Sequence, residues 1–600
     1  MTITTMSRPL CRHHALVLAV ALAGTPALAF EFERGDLRGE LDNHISAGIG
    51  WALSNPDKSL IGVGNGGTAS TLSSDDHRLN FNKGDVYTQV FKGLHGLTLE
   101  YENVGLFVRG QWWYDVEQQD RHQRLYDISN SGRYRYARTS GIELLDAYAF
   151  ARWQLGGQDG EIRVGRQVVT WGNDDYTHAL NDLYAYNGNA YRRPGMILEE
   201  TLIPAPMVYL TQQLGNDVSV DLFYQFGWEK MAVSNCGTFF ATTEVVQDGC
   251  VTGNLIYGSD FRPNDPDYLY IPRYADNTPK DGGEYGVALR WKEAALKDTE
   301  FGLIASRYHS RSPFYSTIAS SVLDVTDPQF DPNLVGNSPL AGYTVDYPES
   351  IELYAATFRT ELAEGATSFS GELSLRPNMP LQVNSTDLTY TALGIDAIAQ
   401  QTIGAPISPT VLNGDAVSEG KHLRGYRRLP VSQVQLAFSQ FLPGAFGADW
   451  FLFMSEVAWN HISDLKTGPG AVRFGRDSIY GYGEVGVPGL CETLLNTDNP
   501  QHCNGDGFHS RDSWGYRSAF IADFADVGGG VGLRPMLVWT HDMHGWGPNF
   551  NQEAKSIELS VSARYRDRYS ATVTVKDYFG GRYNTWVDRD FVSLSVGMSF

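Results

Sequence analysis

The sequence has few charged residues, very few cysteines and no long apolar run after its N-terminal segment. Charged residues make up 19% of the 600 positions, and there are five cysteines. A membrane-spanning helix needs ~20 consecutive apolar residues, so a bundle of transmembrane helices is excluded. The net charge of −22 disfavours nucleic acid as a partner, because phosphates repel an acidic surface.

Glycine and aromatic residues, in contrast, are abundant, with 63 glycines, 32 tyrosines, 29 phenylalanines and 13 tryptophans. This composition is typical of an all-β barrel with tight turns and girdles of aromatic side chains. The C-terminal residues alternate strictly, as the final strand of an outer-membrane barrel does. We therefore predict a signal for the barrel-assembly machinery, carried by Val592, Leu594, Val596, Met598 and Phe600.

Residues 1–29 have the features of a secretory signal peptide. Arg8 and Arg12 form a basic region, residues 15–23 are apolar, and a small-residue cleavage site ends at Ala29. A membrane anchor is the alternative, but the apolar run has about half the length of a spanning helix. We predict a signal peptide over 1–29, a short periplasmic segment over 30–40 and a barrel over 41–600.

Segments with period-2 alternation recur along the whole chain, which predicts a transmembrane antiparallel β-barrel of about 18 strands. Outward Val104 and Leu106, for example, alternate with inward Phe107 and Arg109. The strands are predicted to start near Leu41, Val86, Val104, Gly141, Ile162, Pro206, Val218, Glu284, Phe301, Ile351, Ser368, Ser432, Trp450, Ser513, Gly532, Ser556, Tyr569 and Asp590.

Two of these strands are weakly marked, so a barrel of 16 strands remains the alternative. They are the first strand and residues 162–171, where strict alternation turns either Arg163 or Arg166 toward lipid. A lipid-facing arginine costs about 2–4 kcal/mol at the bilayer midplane and little near the interface. We therefore expect a bulge or an interfacial position in this segment.

The strands are joined alternately by short turns and by long polar stretches rich in Gly, Asn, Asp and Pro. This asymmetry predicts short periplasmic turns and long extracellular loops in the outer membrane of a Gram-negative bacterium. An even strand number places both ends of the mature chain in the periplasm. Residues 176–204 are a candidate for an inward constriction, with a plain surface loop as the alternative. The long stretches are about 54–84, 117–140, 172–204, 229–282, 310–347, 377–429, 464–511, 544–554 and 578–589.

The four cysteines after the signal peptide form two local pairs, Cys236 with Cys250 and Cys491 with Cys503. In an exported protein each pair is expected to close a disulfide within one loop. Two histidines near Cys503 make a metal site the competing interpretation. Neither pair has the Cys-x-x-Cys spacing typical of zinc, so we predict disulfides and no metal.

Charged and aromatic side chains alternate onto the predicted inner face. They suit either a charged lumen that selects solutes or structural ion pairs that fill the barrel interior. The aromatic members suit either an apolar solute or packing against a plug loop. The candidate lumen residues are Arg109, Trp113, Phe223, Arg290, Arg359, Glu372, Arg376, Glu456 and Arg534.

No motif of a nucleotide-binding protein, serine hydrolase or zinc protease is present. The glycine-rich stretches at 62–67 and 481–486 do not open a helix after a strand, so they predict flexible loops. The nearest catalytic candidates are His541 with Asp542 and His461, and nothing in the sequence places a nucleophile beside them. We predict no enzyme and no cofactor.

Several stretches resemble a Gram-negative outer-membrane barrel family catalogued as domain of unknown function thirteen-hundred-and-two. The resemblance implies an encoded neighbourhood with a periplasmic or lipoprotein partner and an exporter of the resistance-nodulation-division type. It also implies movement of a hydrophobic molecule across the outer membrane. The resembling stretches are residues 30–32, 82–85, 143–148, 165–172, 228–230, 236–240 and 588–594.

We therefore expect an outer-membrane channel or transporter for a lipophilic or amphipathic small molecule, embedded in outer-membrane lipid. Inward Arg109 and Arg376 are expected to orient a polar head group, and Trp113 and Phe223 to hold its apolar part. A general or carbohydrate-type porin is the first alternative, and a barrel enzyme acting on envelope lipid is the second. Display of large loops for adhesion is a further alternative.

Overall fold

The computed structural model describes residues 30–600 apart from 126–127, 129, 173–182, 216, 251–252, 262–268, 324–340, 364, 396–398, 400–402, 405–416 and 469. The predicted signal peptide, with its cleavage site at Ala29, lies outside the described residues. None of the described helices is long and apolar enough to cross a membrane.

Eighteen antiparallel strands form a closed barrel, which confirms the predicted number. The last strand pairs with the first, from His44 opposite Ser599 to Ala52 opposite Phe591. A closed barrel pairs every backbone group of its strands, as lipid requires. The strands are β1 (Leu37–Ala52), β2 (Val86–Tyr101), β3 (Val104–Asp115), β4 (Ser140–Leu155), β5 (Gln158–Gln167), β6 (Ala205–Gln213), β7 (Val218–Gln225), β8 (Glu284–Glu293), β9 (Thr299–Tyr308), β10 (Ile351–Leu362), β11 (Thr367–Gln382), β12 (Tyr426–Pro443), β13 (Trp450–Ile462), β14 (Asp512–Asp523), β15 (Val531–His544), β16 (Lys555–Tyr565), β17 (Tyr569–Phe579) and β18 (Phe591–Ser599).

The two faces of the barrel wall differ as the alternation predicts. On β11, Leu373 is 52% exposed on the outer face, whereas its neighbour Ser374 is 1% exposed on the inner face. On β18, Leu594 and Val596 point outward and Ser595 is buried inside. An apolar outer belt over a polar interior is the arrangement of a transmembrane barrel.

The connections are short at one end of the barrel and long at the other, as predicted. The short ones include residues 102–103, 156–157 and 566–568, and the long ones include 53–85, 226–283 and 463–511. The long connections contain small sheets and helices. The helices are α1 (Asp76–Asn80), α2 (Val116–Asp120), α3 (Gly188–Tyr191), α4 (Leu198–Thr201) and α5 (Ser385–Ala392), and the small strands are Ala185–Tyr186, Leu202–Ile203, Gly253–Tyr257, Leu269–Pro272, Phe314–Ile318, Gly342–Asp346 and His422–Leu423.

The N-terminal boundary of the barrel differs from the predicted residue 41. β1 begins at Leu37, and a short strand, Phe30–Arg34, pairs with residues 37–41 as a hairpin at the short-turn end. This hairpin is exposed, and its Arg38–Glu33 ion pair of 3.0 Å lies at the surface. The alternation of β1 begins in solvent, where an apolar face is not required, so the pattern did not mark its start.

The irregularity expected near Arg163 and Arg166 lies at Gly165. Val164 is exposed on the outer face, so Arg163 points inward, where its guanidinium pairs with Glu161. Gly165 has a φ of 138°, which L-residues with a side chain rarely adopt. This backbone conformation lets Arg166 reach Glu229 at 3.0 Å instead of facing lipid.

Both predicted disulfides are formed, Cys236–Cys250 and Cys491–Cys503. Cys503 is therefore not available as a metal ligand. Burial lowers the pKa of the neighbouring His509 to about 4, so its ring is neutral at physiological pH. The two disulfides each cross-link one long connection.

Candidate functional site

Part of the third long connection folds into the barrel interior. Residues 183–204, here called the inward segment, contain α3 and α4. Asn187 begins α3 by accepting hydrogen bonds from the backbone N–H groups of Asn189 and Ala190, each at 3.2 Å. The described part of the predicted stretch 176–204 thus packs inside the barrel, whereas residues 176–182 lie outside the described residues.

The inward segment is fastened to the inner wall by a buried ion pair. Lys92 Nζ of β2 lies 2.6 Å from Glu200 Oε2 and also donates to the carbonyl oxygen of Gly195 at 2.7 Å. Both charged side chains are almost completely buried. Two buried charges are tolerated only when they pair, so this contact fixes the position of the segment.

The backbone of the inward segment also approaches the wall closely. A Cβ atom placed on Gly48 of β1 would lie 2.6 Å from Pro194 Cβ. Only glycine leaves room for this contact. Arg193 then lies over the ring of Trp113, with its guanidinium carbon 4.5 Å from the ring centre.

A cavity of about 380 Å³, the lumen cavity, lies inside the wall formed by β9 to β13. Its polar lining includes Arg376, Asn460 and Gln433, and its apolar lining includes Ile351 and Val431. These residues occupy inward-facing positions of neighbouring strands, so their side chains meet in the lumen cavity. The mixture of a cationic group, amides and apolar walls suits an amphipathic ligand.

Arg376 and Asn460 are the groups best placed to bind a ligand in the lumen cavity. Arg376 is 3% exposed, and its Nε donates to the hydroxyl oxygen of Tyr308 at 3.0 Å. Asn460 is 1% exposed, and within the described part of the chain both polar atoms of its amide lack a hydrogen-bond partner. A guanidinium binds carboxylate or phosphate with charge-assisted hydrogen bonds, and an unsatisfied amide favours a polar ligand beside it.

A second arginine in the lining of the lumen cavity, Arg311, holds several chain segments together. Its guanidinium contacts Glu284 at 2.9 Å, the side-chain oxygen of Gln225 at 2.8 Å and the carbonyl oxygen of Leu183 at 3.1 Å. It thereby joins the inward segment to β7 and β8. Because these acceptors compensate the positive charge of the guanidinium, Arg311 has a structural role.

A larger cavity of about 1020 Å³, the external cavity, lies among the long connections. Its lining combines apolar side chains, such as Leu72 and Leu255, with serine and threonine hydroxyls. Segments 310–315 and 379–382 contribute residues to the linings of both cavities and separate them. The external cavity therefore lies on the long-connection side of these segments, and the lumen cavity lies on the barrel side.

The side chain of Gln382 holds this separation together. Its Oε1 accepts from the backbone N–H of Tyr315 at 2.9 Å, and its Nε2 donates to the carbonyl oxygens of Tyr315 at 3.0 Å and Gly425 at 2.9 Å. We call these three residues the partition. Their hydrogen bonds join chain segments that lie between the external cavity and the lumen cavity.

Three of the predicted lumen arginines are paired with carboxylates on the inner wall. Arg109 lies 3.2 Å from Asp146, Arg290 pairs with Asp221, and Arg534 lies 2.8 Å from Asp523. Such pairs fit the alternative that they fill a barrel interior. Arg359 is exposed on the inner face, and Glu372 and Glu456 are buried in the wall at 3% and 1% exposure.

The two predicted aromatic contacts are packed against protein. Trp113 is 2% exposed and donates from Nε1 to the carbonyl oxygen of Arg138 at 2.9 Å. Phe223 is 4% exposed and contacts Trp171, with ring centres 5.0 Å apart. Neither lines the lumen cavity or the external cavity. Their role toward a solute stays a prediction.

The catalytic candidates contact acidic residues and an arginine, and Ser432 lies opposite His461 in the strand register. His461 Nδ1 lies 2.9 Å from a carboxylate oxygen of Asp512, and Asp542 pairs with Arg517 at 2.8 Å. Within the part of the chain that the structure describes, neither His461 nor His541 is hydrogen-bonded to a serine or cysteine side chain. The arrangement is that of polar residues at the rim of the barrel.

Sequence reasoning missed several residues of this region. Arg311 and Gln382 act through partners in distant connections, which no local pattern reveals. Asn460 follows the inward alternation of Met454 and Glu456, so the periodicity placed its side chain correctly without indicating a cavity.

Three solved structures resemble this chain at very low sequence identity. OccAB1 of Acinetobacter baumannii is 11% identical with a TM-score of 0.38, covering 93% of this chain and 96% of that chain. OpdK of Pseudomonas aeruginosa, solved with vanillate, is 9% identical with a TM-score of 0.38, covering 94% and 98%. The channel DcaP of A. baumannii is 8% identical with a TM-score of 0.35, covering 96% and 100%. At these scores the likeness carries no argument about function.

No curated protein matches the sequence. A family model does, and its match covers residues 10–600, which is almost the whole chain. It also contains every stretch on which the resemblance was based. The chain belongs to the family described as "Protein of unknown function (DUF1302)".

Proposed function

We propose that the protein is an outer-membrane channel for an amphipathic small molecule that carries an anionic head group. The observation that carries this proposal is the lumen cavity, in which Arg376 and the unsatisfied amide of Asn460 lie beside apolar side chains. The guanidinium binds the head group, and Ile351 and Val431 contact the apolar part.

The route begins in the external cavity, whose lining has both apolar and hydroxyl-bearing side chains. It continues past the partition, which opens when the hydrogen bonds of Gln382 break. Below the lumen cavity the inner wall carries Arg359 and the paired charges. The solute leaves at the short-turn end, where a periplasmic or lipoprotein partner, acting with a resistance-nodulation-division exporter, exchanges it with the channel.

Flux through proteoliposomes tests the ligand site. Uptake of fluorescently labelled laurate is expected to fall about tenfold or more in Arg376→Gln, because a hydrogen bond to a charged group contributes about 1.5–3 kcal/mol. Arg152→Gln is the matched control, since Arg152 lies near the short turns and its side chain is 53% exposed. Equal uptake by both variants would contradict the head-group assignment.

Conductance in a planar bilayer tests the partition. The unaltered protein is expected to be silent or to flicker, whereas Gln382→Ala removes the four hydrogen bonds of this side chain and raises the open fraction by about tenfold or more. Large steady steps from the unaltered protein would instead indicate a general porin. Turnover of envelope lipid that disappears on substitution of His461 or His541 would indicate an enzyme.

A further inference from the structure

Three buried carboxylates meet among the long connections, and none of them lines the lumen cavity. Asp75 and Asp76 come from the connection between β1 and β2, and Glu244 comes from the connection between β7 and β8. Their carboxylate oxygens lie within 4.8 Å of one another. The three residues, here called the acidic cluster, are 0%, 3% and 3% exposed.

The surroundings of the acidic cluster add negative charge. Asn65 Nδ2 donates to Asp75 Oδ2 at 3.0 Å and to a fourth carboxylate, Asp260, at 2.6 Å. Arg78 supplies one opposing positive charge: it lies 2.8 Å from Asp588 in a buried pair and also partly counteracts the rise in the pKa of Asp75. Like charges brought this close in a buried site repel strongly unless protons or a cation compensate them.

One oxygen atom of the cluster points to a missing ligand. Asp75 Oδ2 accepts hydrogen bonds from Asn65 and from the backbone N–H of Gly62, but Asp75 Oδ1 is fully buried and has no hydrogen-bond partner among the described residues. A buried carboxylate oxygen without a donor is expensive. A bound cation in the cluster satisfies it.

The donor set selects the kind of cation. The cluster offers carboxylate oxygens and no sulfur or imidazole, which favours a hard ion over zinc or copper. Calcium binds oxygen at about 2.3–2.6 Å, so ligands on opposite sides of it lie about 5 Å apart. Magnesium, at about 2.0–2.1 Å, needs a tighter group.

We propose that Asp75, Asp76 and Glu244 form a calcium site on the extracellular side of the barrel. The site joins two connections that are distant in sequence. Both connections also line the external cavity, through residues such as Ser73 and Ser259. Bound calcium therefore holds the wall of this cavity in place and makes its shape depend on calcium in the medium.

The alternative is a cluster that shares protons. Burial raises the pKa of Asp75 to about 7 and raises that of Glu244 as well, so without a cation the cluster retains protons near neutral pH. In that case, replacing a carboxylate with an amide removes the repulsion and stabilises the loops. A calcium site and a proton-sharing cluster therefore predict opposite effects on stability when a carboxylate of the cluster is replaced with an amide.

Calcium titration of the full-length protein in detergent tests the site after an EDTA wash. Isothermal titration is expected to give one calcium ion per chain with a dissociation constant of about 10⁻⁴–10⁻³ M or tighter, as in extracellular modules. Asp75→Asn and Glu244→Gln are each expected to weaken binding at least tenfold. Glu492→Gln, a change at an exposed loop carboxylate, leaves binding unchanged.

The thermal unfolding temperature of the same samples gives a second measurement. Calcium is expected to raise the transition of the unaltered protein and of Glu492→Gln, but not that of Glu244→Gln. Absence of calcium binding by the unaltered protein overturns the proposal, whatever the variants do. If Glu244→Gln has a higher transition temperature than the unaltered protein without calcium, the cluster shares protons, and the calcium proposal is overturned. If calcium binding persists in both cluster variants, the ion is bound by co-purified lipopolysaccharide.

Discussion

The barrel wall and the long connections in its mouth are stabilised by different interactions. In the wall, backbone hydrogen bonds join neighbouring strands, and side chains such as Leu373 only have to suit the lipid. In the connections, individual charged groups are buried in pairs, as in Arg78 with Asp588. The wall therefore tolerates exchange of one apolar residue for another, whereas the connections depend on particular partners.

The largest expected effect comes from breaking the ion pair that holds the inward segment. Glu200→Gln leaves Lys92 charged and buried without its partner, which costs about 3–5 kcal/mol. We expect faster proteolytic cleavage within residues 183–204 and more frequent channel openings, measured in proteoliposomes and planar bilayers.

The double variant Lys92→Met/Glu200→Met is the control for this pair. It removes both charges and is expected to recover most of the lost stability, since a buried pair contributes little beyond an apolar replacement. If the single variant were as stable as the unaltered protein, the inward segment would be held by its other contacts instead.

Removing a disulfide should affect the connections and spare the wall. Cys491→Ser/Cys503→Ser opens a loop closed by residues 12 positions apart, which lowers the stability of that connection by about 3 kcal/mol. Heat-modified electrophoretic mobility reports on the barrel, and protease sensitivity reports on the connection. If the variant lost heat-modified mobility and protease resistance together, the barrel wall and the connection would unfold as one unit.

A charge on the lipid face tests the wall. Leu373→Arg is expected to lower the free energy of unfolding by about 2–4 kcal/mol in lipid vesicles, because Leu373 lies on the outer face of β11. Leu373→Ile is the matched control and should stay close to the unaltered protein. An arginine tolerated without loss would mean that this face does not contact lipid.

The smallest effect is expected from the ion pair at the short-turn end. Arg38 and Glu33 are 3.0 Å apart, but their side chains are 72% and 71% exposed. Arg38→Gln should change the free energy of unfolding by less than about 1 kcal/mol in the same vesicle assay. Compared with Glu200→Gln, this variant separates the effect of burial from that of pairing.

The wall was predictable from the sequence because its pattern is local. Each strand repeats an apolar residue every second position, and the connections between strands contain turn residues. The predicted starts at Val86, Val104, Val218, Glu284 and Ile351 coincide with those observed. The start of β12 is earlier than predicted because a bulge in β11 between Arg376 and Met379 extends the pairing beyond the regular alternation.

The candidate site was predictable only in part. Arg376 was placed on the inner face by its alternation, and the structure shows it at the lumen cavity. Trp113 follows the same alternation but is covered by Arg193, which belongs to a connection many residues away. The acidic cluster depends on a contact between Asp76 and Glu244, 168 positions apart. Periodicity gives the direction of a side chain, and long-range packing decides what it meets.

The seam between β1 and β18 has a consequence for biogenesis. Asn43 and Phe600, 557 positions apart, exchange backbone hydrogen bonds of 2.8 and 3.0 Å. Until this seam forms, β1 and β18 present two open edges whose amide and carbonyl groups lack partners in lipid. Insertion and completion of the cylinder are therefore a single late event, and substitutions in the seam should slow assembly more than they weaken the finished barrel.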